Sequence, residues 1–575
     1  MVVEGTETME RNYWKQRSST LGRRRFIRGA AVAGGGLAAA ALVGCGGDDE
    51  DGPTNGATAT QGGATGTAAA GETQAASGSA KSGGTFRARF EGDPPGFDIG
   101  RAASVRAQTT SLNYSWLTSL KFGPGVGYRE STIVADAAEA LPEQPDGETY
   151  IFKLRPGIKF WNVDPVNGRE VVAEDVAETT RYIADSYTND WRGFSSVETP
   201  DDYTIIIKTD GPYAPLMNNL SGQYGVLLAP RELVGTEQLA NRPVGTGPYI
   251  FDTYEEGSRI VQKRNPDYWN TAQAPYLDEI QFLTIPEVGS AIAAFRAGDL
   301  DWLTGHTCHD AEQVAQEMPE AVVIETPGTS GWYGMDQRTE MFADLRVRQA
   351  VALGYNRERD TNAVFCGRSD IPGLIPSDEA IHPTDYPDAD KWLSRNVEEA
   401  RKLMTAAGYA DGFDTNLQWT PHYGQDYQTQ MEGMVGDMRE IGINVTLESH
   451  EYGQWIESVY RPPYNFSGLH GGATGRFYPD PDGYVAYWLH PDGIANHSQV
   501  NDPQMTELIE RQVTQTNPDE RWETLHEIQL REFENMYYVW RNTGILNTFV
   551  QPYVRDFNPH ASYNRRELLP VWLDI

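Results

Sequence analysis

Basic side chains are scarce in this chain relative to acidic ones. Its 575 residues include 47 lysines and arginines against 81 aspartates and glutamates, which gives a formal net charge of −34 at pH 7. A negative field of this size opposes binding to nucleic acids and to anionic lipid surfaces, because both carry charge of the same sign. We therefore expect no nucleic-acid partner and no direct adhesion of the chain to a membrane surface.

Long hydrophobic runs are also missing. The apolar stretch at residues 29–43 has fifteen residues rich in Ala and Gly, whereas a transmembrane helix needs roughly 20. Arg23 and Arg24 precede this stretch, an order typical of a twin-arginine export signal. The stretch ends in Leu42-Val43-Gly44-Cys45, which resembles a lipoprotein cleavage box. These features predict a signal peptide at residues 1–44 and a lipidated Cys45; the alternative is an amphipathic or buried helix.

Large apolar side chains are almost absent from residues 46–82, which contain Gly, Ala, Thr and Ser with an acidic patch at 48–51. Such a segment cannot offset its ordering entropy by burial. We expect residues 45–82 to be the lipidated cysteine and a flexible linker with an end-to-end distance of about 30–36 Å. The rest, residues 83–575, is long enough for two or three domains.

Cysteine is nearly absent, with three residues in all. With Cys45 assigned to a lipid, Cys308 and Cys366 remain; they could pair in an oxidising compartment, but a separation of 58 positions does not decide this. His306 and His309 flank Cys308, so three potential metal ligands lie within four residues, yet no second cluster matches them. We expect no bound metal and no other cofactor.

Catalytic motifs are missing as well. The segment 245–248, Gly-Thr-Gly-Pro, lacks the third glycine, the lysine and the following helix of a phosphate-binding loop. Residues 242–282 contain no nucleophile–base pair, and any choice of a glycosidase pair among so many carboxylates in the chain would be arbitrary. We therefore expect no enzyme activity and keep a secreted hydrolase as the alternative class.

What is present is a long signature at residues 242–282. Pro243, Gly245, Gly247 and Pro248 predict a rigid corner, because glycine permits positive φ and proline fixes φ near −65°. Residues 258–263 and 279–285 follow as predicted strands, separated by turn residues. This signature resembles that of the extracytoplasmic solute-binding proteins of family 5, the peptide, nickel and oligosaccharide receptors of ABC importers.

Further blocks strengthen the resemblance, which spans about residues 83–575. They are the opening strand at 85–90 with its proline turn, the segments 149–160 and 172–176, and the predicted helix starting at residue 344. The family usually has His-Asp-Gly-x-Pro after the phenylalanine at 160, where this chain has Trp161-Asn162 and a longer insertion.

The resemblance implies an α/β protein with the type II periplasmic-binding-protein fold, in which two lobes are accompanied by an additional small domain. Lobe I is expected at about 84–115, 241–330 and 546–575, the second domain at about 116–240 and the third domain at about 331–545. Independent of the family, the helical methionine stripe at 427–441 and the strand pattern at 442–447 predict a helix-to-strand unit of an α/β layer.

The segment 471–484 is the most informative about the ligand. In peptide receptors of the family, the equivalent loop carries an aspartate that pairs with the ligand's amino terminus, and the resemblance places that position on Phe477. Arg476 could instead face an anionic or polyol ligand, and Asp480 and Asp482 are the next acids available. The alternative is that residues 480–483, Asp-Pro-Asp-Gly, form only a turn.

Aromatic residues are abundant, with 14 Trp and 29 Tyr, which suits an aromatic-lined pocket as well as a core. We expect Trp332, Tyr333, Trp419 and Tyr423 to face the cleft, because clefts of this kind draw their contacts from segments that follow strands. Aromatic faces serve peptide side chains and sugar rings alike, so the ligand stays open between these classes.

The resemblance thus implies the substrate-binding lipoprotein of an ABC importer. It is expected to work as a monomer outside the cytoplasm, tethered to the membrane only by its lipid, and to deliver a solute to the permease and ATPase subunits. An oligopeptide leads as the ligand; an oligosaccharide or a nickel chelate is the alternative.

Overall fold

The computed structural model describes residues 79–575 except 95, 101–107, 189, 223–224, 274, 463, 474–476 and 563. The predicted signal peptide, Cys45 and most of the predicted linker thus lie outside the described residues. The strands in chain order are β1 (Thr85–Phe90), β2 (Thr118–Leu120), β3 (Ile133–Ala135), β4 (Thr149–Lys153), β5 (Phe194–Asp201), β6 (Thr204–Thr209), β7 (Tyr249–Glu255), β8 (Arg259–Arg264), β9 (Glu279–Thr284), β10 (Trp302–Leu303), β11 (Val322–Pro327), β12 (Gly331–Met335), β13 (Ser369–Asp370), β14 (Phe413–Trp419), β15 (Ile443–Ser449), β16 (Leu469–Ala473), β17 (Tyr538–Arg541), β18 (Thr543–Val550), β19 (Val554–Arg555) and β20 (Trp572–Leu573).

Helices alternate with many of these strands. Within the described residues they are α1 (Ala173–Ser186), α2 (Leu216–Ser221), α3 (Glu237–Asn241), α4 (Val288–Ala297), α5 (Cys308–Glu317), α6 (Glu340–Ala343), α7 (Leu345–Gly354), α8 (Arg357–Ala363), α9 (Ala389–Leu393), α10 (Val397–Ala406), α11 (Gln425–Glu440), α12 (Tyr452–Gln454), α13 (Asp482–Leu489), α14 (Pro503–Thr514) and α15 (Pro518–Asn535). Over the part of the chain that the structure describes, no helix is long and apolar enough to cross a membrane.

The large sheet collects strands from distant parts of the chain in the order β11, β18, β10, β1, β9, β8, β7, with β13 paired to β18. β1 runs parallel to β9, with Thr85 opposite Glu279, whereas β7, β8 and β9 form an antiparallel meander. Phe86 and Ala88 alternate inward along β1, as a strand with one buried face requires. We call this part of the protein the large-sheet region.

The two signature glycines, Gly245 and Gly247, are required by a close approach of backbone. The predicted reason, positive φ, is wrong, since neither glycine adopts it. A Cβ atom on Gly245 would lie 2.2 Å from the carbonyl oxygen of Asn113, and one on Gly247 would lie 2.3 Å from that of Leu112. The Asn113 side chain donates to the carbonyl of Tyr249 at 2.8 Å. Side chains larger than hydrogen are therefore excluded where the chain leaves and re-enters the large-sheet region.

Residues 118–241, the small-sheet region, contain the antiparallel sheet β4-β6-β5 with α1 packed against it. Tyr150, Phe152 and Leu154 point into its core, with 4%, 0% and 1% of their surface exposed. This alternation is that of a strand with one buried face. Trp161 donates its backbone N–H to Gly245, which holds the small-sheet region against the large-sheet region.

Residues 331–541, the five-stranded region, are built on the sheet β15-β14-β16-β12-β17. β14 and β15 are parallel and are joined by α11, whose Met431, Met434 and Met438 are completely buried. The methionine stripe is thus core, as its helical spacing predicts.

Two short crossings join the large-sheet and five-stranded regions: one between β11 and β12, the other between β17 and β18. The disulfide Cys308–Cys366, with a Cα–Cα distance of 6.1 Å, and the pairing of β13 with β18 add further links between them. The open question about these two cysteines is settled in favour of pairing. The predicted boundaries of the three domains stay predictions.

Candidate ligand-binding site

A cavity of about 330 Å³ lies between the small-sheet and five-stranded regions. One wall comes from the segment between β2 and β3, from β4 and from α2; the other comes from residues 375–379, from the start of α13 and from the start of α15. The volume is at the small end of the range of about 300–1,000 Å³ found for ligand pockets. The cavity therefore suits a small solute.

The walls combine aromatic and apolar side chains with polar ones. Tyr150 and Met217 face it from the small-sheet region, and Phe477, Tyr478 and Trp522 face it from the five-stranded region. Phe477 also packs edge-on against His560, with ring centroids 6.0 Å apart. Aromatic surfaces of this kind bind apolar or ring-shaped ligand parts by stacking and by area burial.

Asp480 lies behind this wall, with only 2% of its surface exposed. Arg521 donates to its two carboxylate oxygens at 2.9 and 2.5 Å, and Asn218 of the small-sheet region donates to it at 2.9 Å. Burial opposes ionisation of Asp480, but the guanidinium and its hydrogen bonds outweigh it and lower the pKa of this carboxyl below its ordinary value. Asp480 is therefore ionised, and its charge is neutralised by Arg521 inside the protein.

Asp482 is likewise engaged. Arg192, from the small-sheet region, forms an ion pair with its carboxylate at 2.6 Å, and Gln512 donates to the same oxygen at 2.6 Å. Residue 482 is also the first residue of α13, so the segment 480–483 leads into a helix rather than forming an isolated turn. The two acids thus bind the small-sheet region to the five-stranded region, and both have cationic partners inside the protein.

Of the remaining predicted contacts, Arg476 lies outside the described residues. Trp332 and Tyr333 point to opposite sides of β12, and both are completely buried. Trp332 packs against Trp488 with centroids 5.0 Å apart, and Tyr333 lies under the guanidinium of Arg541 at 5.4 Å. Neither lines the cavity, and both stay predictions as ligand contacts.

Trp419 and Tyr423 come together around Tyr427, with ring centroids 6.3 and 5.2 Å from its ring. Trp419 is 7% exposed, whereas Tyr423 is partly exposed and accepts a hydrogen bond from the indole of Trp455 at 3.3 Å. This cluster is separate from the residues that line the cavity. The two residues stay predictions as ligand contacts as well.

Arg129, Arg192 and Arg521 are the residues that the sequence patterns did not single out. Arg129 lines the cavity from the segment between β2 and β3, and Arg521 lines it from α15. No motif marks these residues, because their roles arise from contacts between segments far apart in the chain. Arg192 and Asp482, for example, are separated by 290 positions.

Together, parts joined by short crossings and a cavity between facing walls give the arrangement expected of a receptor that binds its ligand between lobes. The family model of bacterial extracellular solute-binding proteins, family 5 middle, matches residues 132–496, more than half of the chain. The chain belongs to this family and is a solute-binding protein.

Known proteins agree with this assignment. The dipeptide-binding protein of Pseudomonas aeruginosa is 26% identical over 479 residues, which cover 76% of this chain and 86% of that protein. The periplasmic binding protein DppA of Helicobacter pylori, in complex with the peptide STSA, superposes with a TM-score of 0.73 at 22% identity over 86% of this chain and 99% of that one. AgaA from A. tumefaciens R10, in complex with agropinic acid, superposes with a TM-score of 0.72 at 23% identity over 86% of this chain and 99% of that one. The fold is the type II periplasmic-binding-protein fold.

Proposed function

We propose that this protein captures a small solute in the cavity between its small-sheet and five-stranded regions and presents it to the permease of an ABC importer. The observation that carries the proposal is that facing walls from two regions of the chain line the same cavity. The two crossings between the large-sheet and five-stranded regions act as the hinge that lets the walls separate.

A short peptide is the leading ligand. The Pseudomonas aeruginosa relative that matches over 479 residues is named a dipeptide-binding protein. The aromatic residues of the cavity walls suit peptide side chains. A volume of about 330 Å³ favours a peptide of two or three residues over a long one.

The protein is proposed to act as a monomer at the outer face of the membrane, held there by lipid on Cys45. Residues 45–82 then act as the tether, with a reach of about 30–36 Å. Residues 1–44 contain seven basic and three acidic residues, so the rest of the chain carries 40 basic and 78 acidic ones, a net charge of −38. A body of that charge does not adhere to anionic lipid by itself, so the lipid on Cys45 is what attaches the protein to the membrane.

The test is a ligand screen on the purified protein, read by tryptophan fluorescence and by small-angle scattering. A solute that binds is expected to quench or shift the emission and to reduce the radius of gyration as the walls close. Turnover of a peptide or glycoside by the purified protein, without such a change, would contradict the proposal and favour a hydrolase.

A further inference from the structure

The fixed charges around the cavity limit the class of ligand that it can accept. This step depends on the proposed function, because it assumes that the cavity is where the solute binds. The lining residues with side chains that carry charge near neutral pH are Arg129, Glu379 and Arg521. What each of these groups already binds decides which charge the cavity can still accept.

Arg521 is not available to a ligand. It donates two hydrogen bonds to the carboxylate of Asp480, and its Nε and Nη2 atoms donate to Gln512 at 3.0 and 2.9 Å. Glu379 is exposed to solvent and accepts a hydrogen bond from the hydroxyl of Ser377. The charge of Arg521 is thus cancelled by Asp480, and the charge of Glu379 is screened by solvent.

Arg129 differs from both. Over the described part of the chain it makes one hydrogen bond, from Nη2 to the carbonyl of Gly328 at 2.8 Å, and no ion pair. Asp370, an acid within its field, is paired with His382 at 2.9 Å. Arg129 is half-buried, and its other N–H groups have no acceptor among the described residues. A planar fork of this kind matches a carboxylate.

The acids around the cavity offer a ligand ammonium no desolvated partner. The lining carboxylate of Glu379 is exposed to solvent, where an ion pair contributes little. Asp480 and Asp482 are held by Arg521 and Arg192, and an aromatic ring, Phe477, stands where the family resemblance expects the acid. An ammonium brought against Phe477 would lose its hydration without gaining a carboxylate, which is unfavourable.

A neutral donor on the ligand does find a partner. The buried Oε1 atom of Gln515, which also lines the cavity, has no hydrogen-bond partner within the described residues. A buried acceptor of this kind gains stability when it is satisfied, so it can accept from a ligand N–H or O–H group.

We infer that the cavity selects a small organic carboxylate, bound through Arg129, and that a free amino group contributes little to its recognition. The carboxylate binds the guanidinium, a neutral N–H or O–H group donates to Gln515, and the body of the ligand packs on Tyr150, Phe477 and Trp522. Position 129 also bonds to Gly328 in the crossing between β11 and β12, so an anion on Arg129 is bound next to the hinge.

Calorimetry of the full mature protein with three matched panels of dipeptides tests this. The panels contain alanyl-phenylalanine, glycyl-tyrosine and methionyl-leucine, each free, N-acetylated and C-amidated. We expect N-acetylation to change the dissociation constant of the best free dipeptide by less than about threefold, and C-amidation to weaken it by about 30-fold or more, because it removes one partner of a desolvated charge pair.

Variants then assign the effect to one side chain. R129Q is expected to weaken the free and acetylated ligands by about 30-fold and to leave the amidated ones unchanged, whereas R129K should retain part of the affinity because it keeps the charge. R439Q, on the exposed face of α11, is the control for net charge, and circular dichroism confirms that all variants are folded.

The outcomes separate the inference from the proposed function. Amides that bind as tightly as acids, acetylation that abolishes binding, or R129Q with unchanged affinity would overturn the inference while leaving a solute-binding protein. Failure of the wild-type protein to bind any member of the three panels would contradict both the inference and the proposal that the ligand is a short peptide.

Discussion

Replacing Asp480 with asparagine tests whether this acid belongs to the architecture or to ligand recognition. The carboxylate is 2% exposed and the Arg521 side chain that pairs with it is 11% exposed, so the pair is effectively out of water. Removing one partner of a buried ion pair leaves the other charge uncompensated and costs about 3–5 kcal/mol. D480N also weakens the contact to Asn218, which links the five-stranded region to the small-sheet region.

We therefore expect D480N to lower the free energy of unfolding of the five-stranded region by about 3–5 kcal/mol, measured by urea unfolding monitored by fluorescence and by circular dichroism. R521Q should cost a similar amount. The double variant D480N/R521Q should cost clearly less than the two single variants together, because it leaves no unpaired buried charge. D482N is the comparison and should cost less, since its partner Arg192 is 33% exposed and partly solvated.

The same experiment distinguishes a ligand-binding acid from a structural one. If Asp480 paired with a ligand ammonium, D480N would lose affinity and keep its stability. Unfolding midpoints of D480N equal to those of the wild type, or strictly additive effects of D480N and R521Q, would refute the structural role of this ion pair. The pKa of Asp480 is lowered in the folded state, so its contribution to stability is present above the unfolded pKa near 3.8 and is lost as the pH falls through the folded value.

Three further predictions concern other parts of the chain. Replacing both Cys308 and Cys366 with serine should reduce stability by up to about 4 kcal/mol, the chain-entropy value for a loop of this length, and an unchanged urea midpoint would contradict it. The stacked rings of His470 and His497 are completely buried with centroids 4.3 Å apart, and burial lowers the pKa of His470 and lowers that of His497 to about 4. Because these folded values lie below the unfolded value of 6.5, the free energy of unfolding should fall as the pH drops from 6.5 towards 4, and less steeply in H470F. A flat pH profile in the wild type would contradict this. Cys45→Ala should shift the protein from the membrane fraction to the soluble fraction of its host, whereas an unmodified Cys45 in the intact mass of the wild type would refute lipidation.

The parts of the fold that depend on local signals could be predicted from the sequence. Asp502 and Asn517 cap α14 and α15 with their side chains, and each is followed by a proline at the first helical position, an arrangement of adjacent residues that is typical of a helix start. The strand at 85–90 and the buried methionines of α11 follow in the same way from periodicity, since alternation and helical spacing are properties of neighbouring residues.

The candidate site depends on long-range contacts and could be predicted only in part. Phe477 could be placed near the ligand by resemblance, and the structure does place it on a cavity wall. The partners of Asp480 and Asp482 lie 41 and 290 positions away, so no local pattern reveals that both acids are neutralised. No sequence motif marks Arg129. Its proposed role, binding a ligand carboxylate, depends on the lack of an acidic partner among the described residues, which only the structure shows.

The most direct test of solute binding between the two regions is a crystal structure of the protein with the species that co-purifies from its own host, identified beforehand by native mass spectrometry. We predict that this species is a small solute, that it occupies the cavity bounded by Arg129, Phe477 and Trp522, and that it makes contacts with both the small-sheet and the five-stranded region. Ligand density elsewhere in the molecule, with this cavity filled only by water, would contradict this prediction.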